Sequence, residues 1–403
     1  MAKRSLVIRG GLLLDSGDAE ARPADLLVRD GRIADIVAPG SDVPADCEVV
    51  DAADRLLVPG LVNAHTHSHL SFAKGIQDRW TLELHLGAGP WTNVLLNHEE
   101  RRLATLLSAA EMIAKGCTAA YDLHFEIPEP TREGMQTVAE AYRQAGMRAL
   151  IAPMIADRSI WTAVPGLLDA AAPLEPPGLA ATRSAADVIG DFSRLARGWT
   201  VPRLEAGLAL APTIPHHCSD ALLAASARLS RDDGTPLHMH LAESKLQAVV
   251  GDKLYGRSLT ARIGEIGLLS DRFTAAHAVW LDDADYDLLA TSGSLVAHNP
   301  ASNLRLGNGI APTRGMLDRG IPVGIGTDAS SCADGLNMFE ATRTAKLVSH
   351  AVSGDPDRWL SAEETFRLAT QGGARLMGLE REIGKAANKT VMAPRRLDSV
   401  RRR

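Results

Sequence analysis

Two hydrophobic patterns divide the chain. Over residues 1–57 the apolar positions come in short runs broken by turns: Leu6–Ile8, Leu12–Leu14, Asp25–Val28 and Arg32–Val37. Each is compatible with a β-strand. Arg29-Asp30-Gly31-Arg32 supplies a hairpin, because Asp-Gly accepts positive φ at little cost. Pro59-Gly60 ends this block. From residue 60 apolar runs alternate with amphipathic stretches of helical length. The runs are Leu61–Ala64, Cys117–Leu123, Arg148–Ile155, Leu204–Ala211, Pro236–Leu241, Phe273–Val279, Ser294–Ala297 and Pro322–Gly326. Between them lie Glu99–Lys115, Arg132–Ala145, Ser184–Arg197, Asp220–Arg231, Asp283–Thr291 and Leu336–Val352.

Strands that read as continuous apolar runs and alternate with helices pair in parallel, with the helices outside. Eight such units predict a closed (β/α)8 barrel, and an open doubly wound sheet is the weaker alternative. The expected organisation is a small β domain over 1–57, a barrel over 58–380 and a basic tail over 381–403. Residues 157–183, with Pro165, Pro173, Pro176 and Pro177, read as a long loop or irregular insertion. The tail shows neither periodicity, and Arg395, Arg396 and Arg401–Arg403 crowd its end, which reads as a solvated segment.

Composition narrows the function classes. The 403 residues carry a formal net charge of −6, which disfavours a nucleic-acid binder that works by bulk positive charge. The four cysteines, Cys47, Cys117, Cys218 and Cys332, are far apart and form no CxxC. This fits neither a disulfide scaffold nor a cysteine zinc site, and it points to a reducing cytoplasm. No apolar run reaches the roughly 18 residues of a membrane span, and Arg9 with Gly10-Gly11 interrupts the N-terminal run too early for a signal peptide.

The chemistry lies in the histidines. Of thirteen, nine fall at or just past the carboxyl end of an expected barrel strand: His65, His67, His69, His124, His216, His217, His240, His277 and His298. Those ends converge on the face where barrel active sites are built. In His65-Thr66-His67 the two imidazoles point the same way along an extended segment and can reach one cation. His238 and His240 also share a face; His240 is nearer the strand end and is the better ligand, whereas His238 reads as a packed neighbour. Glu243 follows where the strand becomes a loop, placed to move protons beside a metal. His277 ends the sixth strand. Asp328, after Gly324-Ile325-Gly326-Thr327, is either a helix N-cap or a ligand that also accepts a proton from water. Together these groups describe a mononuclear catalytic centre. Imidazole and carboxylate suit Zn²⁺ or Fe²⁺, and such an ion lowers the pKa of bound water towards about 7.

Pro59-Gly-Leu-Val-Asn-Ala-His-Thr-His67, His240-Leu-Ala-Glu243, Ala276-His277, His298-Asn-Pro-Ala-Ser-Asn-Leu-Arg-Leu306 and Gly326-Thr-Asp328 occur in one order over roughly residues 5–380. In this the chain resembles the amidohydrolase superfamily, and most the branch of cytosine deaminase-like enzymes, s-triazine hydrolases and methylthioadenosine/adenosylhomocysteine deaminases. The resemblance implies one divalent metal, zinc first and Fe(II) second, held by His65, His67, His240 and Asp328. It implies Glu243 as proton shuttle, His277 as a hydrogen-bonding or polarising group and Asp328 as proton acceptor. It also implies a homo-oligomer. Binuclear relatives bridge their metals through a lysine on strand four, but Arg203–Pro212 holds none. Some dechlorinating relatives lose one of the two acids, whereas both Glu243 and Asp328 are present here.

The expected activity is therefore hydrolytic deamination of a small amino-substituted N-heterocycle: an aminopurine, aminopyrimidine, pterin or triazine. A same-fold hydrolase of a chloro- or alkylamino-triazine or a cyclic amide is the nearest alternative, and a non-catalytic metal-stabilised binding protein a remote one. Gln77, Trp80, His69, Thr213 and His216 are the pocket candidates. Thr213 stands where many adenosylhomocysteine-type relatives carry a histidine that meets a substrate carboxylate or sugar, which counts against a nucleoside substrate. Relatives also follow the Glu382–Lys385 position with a strand that completes a small β-sandwich. Its absence predicts a sandwich whose C-terminal half is missing or altered.

Overall fold

The computed structural model describes residues 5–45, 47–92, 96–126, 129–171, 173 and 183–386. Residues 174–182 of the proline-rich insertion and the basic stretch from residue 387 lie outside the described residues.

Near the N-terminus, β1 (Leu6–Leu13), β2 (Arg22–Arg29), β3 (Arg32–Val37), β4 (Glu48–Asp51) and β5 (Leu56–Leu57) form one sheet. Its order is β3-β2-β1-β4, and β5 also pairs with β1. The β2–β3 hairpin turns at Asp30 and Gly31, with φ of 49° and 74°, as the Asp-Gly pair predicts. β1 is one strand rather than two; a bulge between Ile8 and Gly11 accounts for the break in its pattern. β4 and β5 were not expected. They are short, mostly exposed and pair in parallel only with β1, so they show no alternation.

The second layer is a ring of parallel strands: β6 (Leu61–Thr66), β7 (Cys117–His124), β8 (Arg148–Ile155), β9 and β10 (Gly207–Leu208 and Ala211–Pro212), β11 (Leu237–Leu241), β12 (Phe273–His277), β13 (Leu295–His298) and β14 (Val323–Ile325). Neighbours pair in sequence order. Single bridges, Leu210 to Leu237 and Thr66 to Asp328, join the arcs, so the eight positions form a (β/α)8 barrel of the TIM type. The fourth differs from expectation. Arg203–Ala206 is a helical turn, and only Gly207–Leu208 and Ala211–Pro212 pair as strand.

Helices pack around this ring. The helix His98–Ala114 opens on a capping box between Asn97 and Glu100, and Asp283–Ser292 on one between Asp282 and Asp285. Each cap satisfies backbone donors that a helix end leaves open, worth about 1 kcal/mol. Met112, Met135, Tyr142, Phe192 and Leu222 fill the layer between helices and strands. Gly373 lets the last helix, Gly373–Leu376, cross the foot of the barrel: a Cβ there would stand 2.8 Å from the Val62 side chain. The following stretch returns to the small sheet, where Gly384 O accepts from Ser16 Oγ at 2.9 Å and Arg32 pairs with Glu382 at 2.8 Å. Among the described residues no helix is long and apolar enough to cross a membrane.

Candidate active site

All eight barrel strands end on one face, and the expected groups meet there. His65 and His67 leave the end of β6, His240 lies on β11, His277 ends β12, and Asp328 follows β14 and bonds back to β6 through its N–H to His65 O at 2.9 Å. The chain turns sharply at these ends. Ala242, His277, Ala278 and Asp328 take positive φ of 50°, 74°, 50° and 60°. Non-glycine residues in that region cost of order 1–3 kcal/mol each, a strain that clusters at functional sites.

The imidazoles are oriented by what their far nitrogens touch. His67 Nδ1 lies 2.7 Å from Leu123 O and His240 Nδ1 lies 2.9 Å from Thr213 O. A carbonyl only accepts, so both Nδ1 atoms carry the proton and both Nε2 atoms carry a lone pair. Those two Nε2 atoms face each other at 3.2 Å. Burial, then the charge of neighbouring imidazoles, holds His240 well below its ordinary pKa. His65 Nδ1 meets His238 Nε2 at 3.2 Å, while its buried Nε2 has no hydrogen bond. Burial lowers the pKa of His65 to about 4.

Asp328 Oδ1 stands 3.4 Å from His67 Nε2 and 3.6 Å from His65 Nε2. Its burial works against the charge, but the imidazoles of His65, His277 and His67 prevail and hold the carboxyl well below the usual range. Converging lone pairs, an orphaned buried nitrogen and an ionised carboxylate fit a divalent cation. Ligand atoms of His65, His67 and His240 lie within 4.8 Å of one another, as do those of His65, His277 and Asp328.

Glu243 stands beside this cluster, 2% exposed, with Oε2 at 3.7 Å from His277 Nε2. Burial pushes its carboxyl pKa well above the ordinary value, and the negative charges of Asp328 and Glu83 push the same way. His277 Nδ1 faces Asn303 Oδ1 at 2.9 Å, so its Nε2 also presents a lone pair.

The pocket candidates are more scattered. Gln77 is buried against His85 at 2.5 Å, and its Oε1 has no partner. His69 packs edge-on against His67, with ring centres 5.6 Å apart, and accepts from Phe125 N. Thr213 touches the site through its carbonyl on His240. His216 packs on His217 with its Nδ1 unpartnered, and burial brings its pKa to about 4. Trp80 is half-buried.

Sequence reasoning missed His85 and Glu83, on the helix Leu82–Thr92, and Asn303 and Asn308, which hold His277 and Glu243. Two glycines flanking a polar residue, Gly307-Asn308-Gly309, at the barrel's carboxyl-end face were the available signal.

The family model described as "Amidohydrolase family" matches residues 56–399. The chain belongs to the amidohydrolase family. It is 32% identical to a 5'-deoxyadenosine deaminase from Methanothermobacter thermautotrophicus, over 98% of this chain and 86% of that one. Among solved structures it resembles a zinc-bound adenosine deaminase from Xanthomonas campestris, with a TM-score of 0.83 and 28% identity over 96% and 83% of the two chains. It also resembles an atrazine chlorohydrolase from Arthrobacter aurescens TC1 complexed with zinc and atraton, with a TM-score of 0.82 and 25% identity over 97% and 85%. Family membership and the site together assign a hydrolase that uses a divalent metal.

Proposed function

We propose that this protein is a mononuclear metal-dependent aminohydrolase that deaminates a small amino-substituted N-heterocycle. The observation that carries the reading is the juxtaposition of a buried Glu243, whose carboxyl pKa burial pushes well above its ordinary value, with ring nitrogens of His65, His67 and His240 and the carboxylate of Asp328. In this reading the three imidazoles and Asp328 hold one metal, zinc before Fe(II). When bound, the ion supplies Lewis acidity and lowers the pKa of a ligated water towards about 7.

The chain's own groups handle the protons. Asp328, held ionised, takes a proton from the attacking water. Glu243 gives its proton to a ring nitrogen as the water oxygen bonds to the amino-bearing carbon, takes up the hydroxyl proton left on that oxygen and passes it to the leaving amine; the proton held by Asp328 then returns to Glu243 and closes the cycle. The C–N bond breaks, ammonia departs and a ring carbonyl remains. His277 hydrogen-bonds the attacking oxygen through Nε2. Gln77, Trp80, His69, Thr213 and His216 contact the heterocycle.

The division into a small β domain (1–57), a barrel (58–380) and a basic tail (381–403) belongs to the same reading. A cytoplasmic homo-oligomer accords with the family resemblance and with four unpaired cysteines.

The test is an ammonia-release screen of the metal-loaded protein against aminopurines, aminopyrimidines, pterins and aminotriazines. Ammonia and the matching ring carbonyl compound, in equal amounts, are expected from at least one class. Chloride or alkylamine released from a substituted triazine, with no ammonia from any class, would replace deamination with the chlorohydrolase reading.

A further inference from the structure

Asn308 lies in the loop that follows the helix Pro300–Arg305, is 4% exposed, and is fixed through its main chain. Its N–H donates to Asn303 O at 2.8 Å, and its carbonyl accepts the indole N–H of Trp280 at 2.7 Å. Gly309, at φ +115°, lets the chain pass beside Val279 and Trp280. So held, the Asn308 side chain sends Nδ2 to Glu243 Oε1 at 3.1 Å.

A carboxamide nitrogen only donates, so Oε1 must be an acceptor in both protonation states of Glu243. The carbonyl oxygen of a protonated carboxyl is its better acceptor, so this bond favours the proton on Oε2, the oxygen that faces His277 Nε2 at 3.7 Å. From the preceding helix, Pro300–Arg305, Asn303 Oδ1 accepts a hydrogen bond from His277 Nδ1 and leaves a lone pair on that Nε2. Two asparagines five positions apart thus set which atom of each group faces the reacting space.

We propose that Asn308 is a positioning residue that fixes the transferable proton on Oε2 of Glu243. The inference rests on the deaminase reading above and adds to it a residue that does not touch the substrate. Its effect travels through Glu243 alone. The amide fixes the carboxyl's rotation and its proton site, so losing it weakens proton transfer more than substrate binding. Glu243 also faces His277, Asp328 and Glu83, none of which is altered by a change at Asn308.

The experiment compares wild type with Asn308→Leu, similar in size but without a donor, and with Asn308→Ser, which restores one. Metal content is measured alongside. For Asn308→Leu we expect kcat to fall about 10- to 100-fold with KM within about threefold, since one donor to an acid–base group is lost. The alkaline limb of kcat/KM should move to higher pH, because a carboxylate without its donor ionises less readily. Asn308→Ser should recover part of both. If Asn308→Leu does not fold, Asn308→Asp replaces it, with the same loss and the same upward shift expected. Unchanged kcat and an unmoved alkaline limb in a variant that holds metal, beside a wild type that releases ammonia, would overturn the inference and leave the deaminase reading standing. A wild type that releases no ammonia from any class removes both.

Discussion

Glu243→Gln should keep its metal at the wild-type level and turn over about 10²- to 10⁴-fold more slowly, the range that a positioned acid–base group contributes. Glutamine keeps the volume of the side chain, and its amide oxygen still accepts from Asn308 Nδ2, so the loop and the imidazole cluster have no cause to move. What is lost is the proton. Burial, then the charges of Asp328 and Glu83, raise the Glu243 pKa, which keeps the carboxyl protonated to higher pH than a solvated glutamate. A donor whose pKa is raised is active below that value and lost as pH rises through it. The wild-type kcat/KM should therefore fall on the alkaline side, and Glu243→Gln should lack that limb. Steady-state rates across pH, with metal analysis of both proteins, decide the matter. Wild-type turnover in the variant removes Glu243 from the reaction.

His240→Ala should lose metal and activity together. In the intact protein His240 Nε2 and His67 Nε2 face each other at 3.2 Å, each oriented by a proton given to a backbone carbonyl. Removing one leaves an incomplete set, and turnover should drop at least about 10³-fold, a modest share of the 10⁶-fold or greater acceleration typical of enzymes. His216→Ala is the control. That ring packs against His217 rather than into the ligand cluster, so the variant should hold metal and change KM. Equal metal loss in both variants, measured by elemental analysis after gel filtration, would mean that the effect is general destabilisation.

The barrel was readable because parallel strands covered on both faces are apolar runs, and the helices between them carry caps at their ends. Strand four was expected as one run, Leu204–Ala211, and its extent differs because Arg203-Leu-Glu-Ala206 curls into a helical turn, leaving two short paired segments that a hydrophobic count cannot separate. β4 and β5 escaped because an exposed strand on the rim of a small sheet has no alternation to read. The meeting of His65, His67, His240 and Asp328 was readable because a barrel sends every strand end to one face, so position along a strand predicts position in the cluster. His238 shows the resolution of that argument: two residues from His240 on the same strand, it bonds to His65 Nδ1 instead of joining the ligand atoms. Asn308 reaches the site from a loop, Asn303 from the short helix Pro300–Arg305, and His85 and Glu83 from the helix Leu82–Thr92. A polar residue in such a segment leaves no periodic trace. Only the folded chain shows that Asn308 touches a residue 65 positions away.

The proposed reaction needs one shared centre for the three imidazoles and Asp328. Anomalous diffraction at the zinc and iron edges, from crystals of the purified protein, tests it most directly. The expected result is a single peak about 2.0–2.2 Å from Nε2 of His65, His67 and His240 and from a carboxylate oxygen of Asp328. A fully active protein whose metal peak lies away from these four residues, or that shows no peak at all, would contradict it.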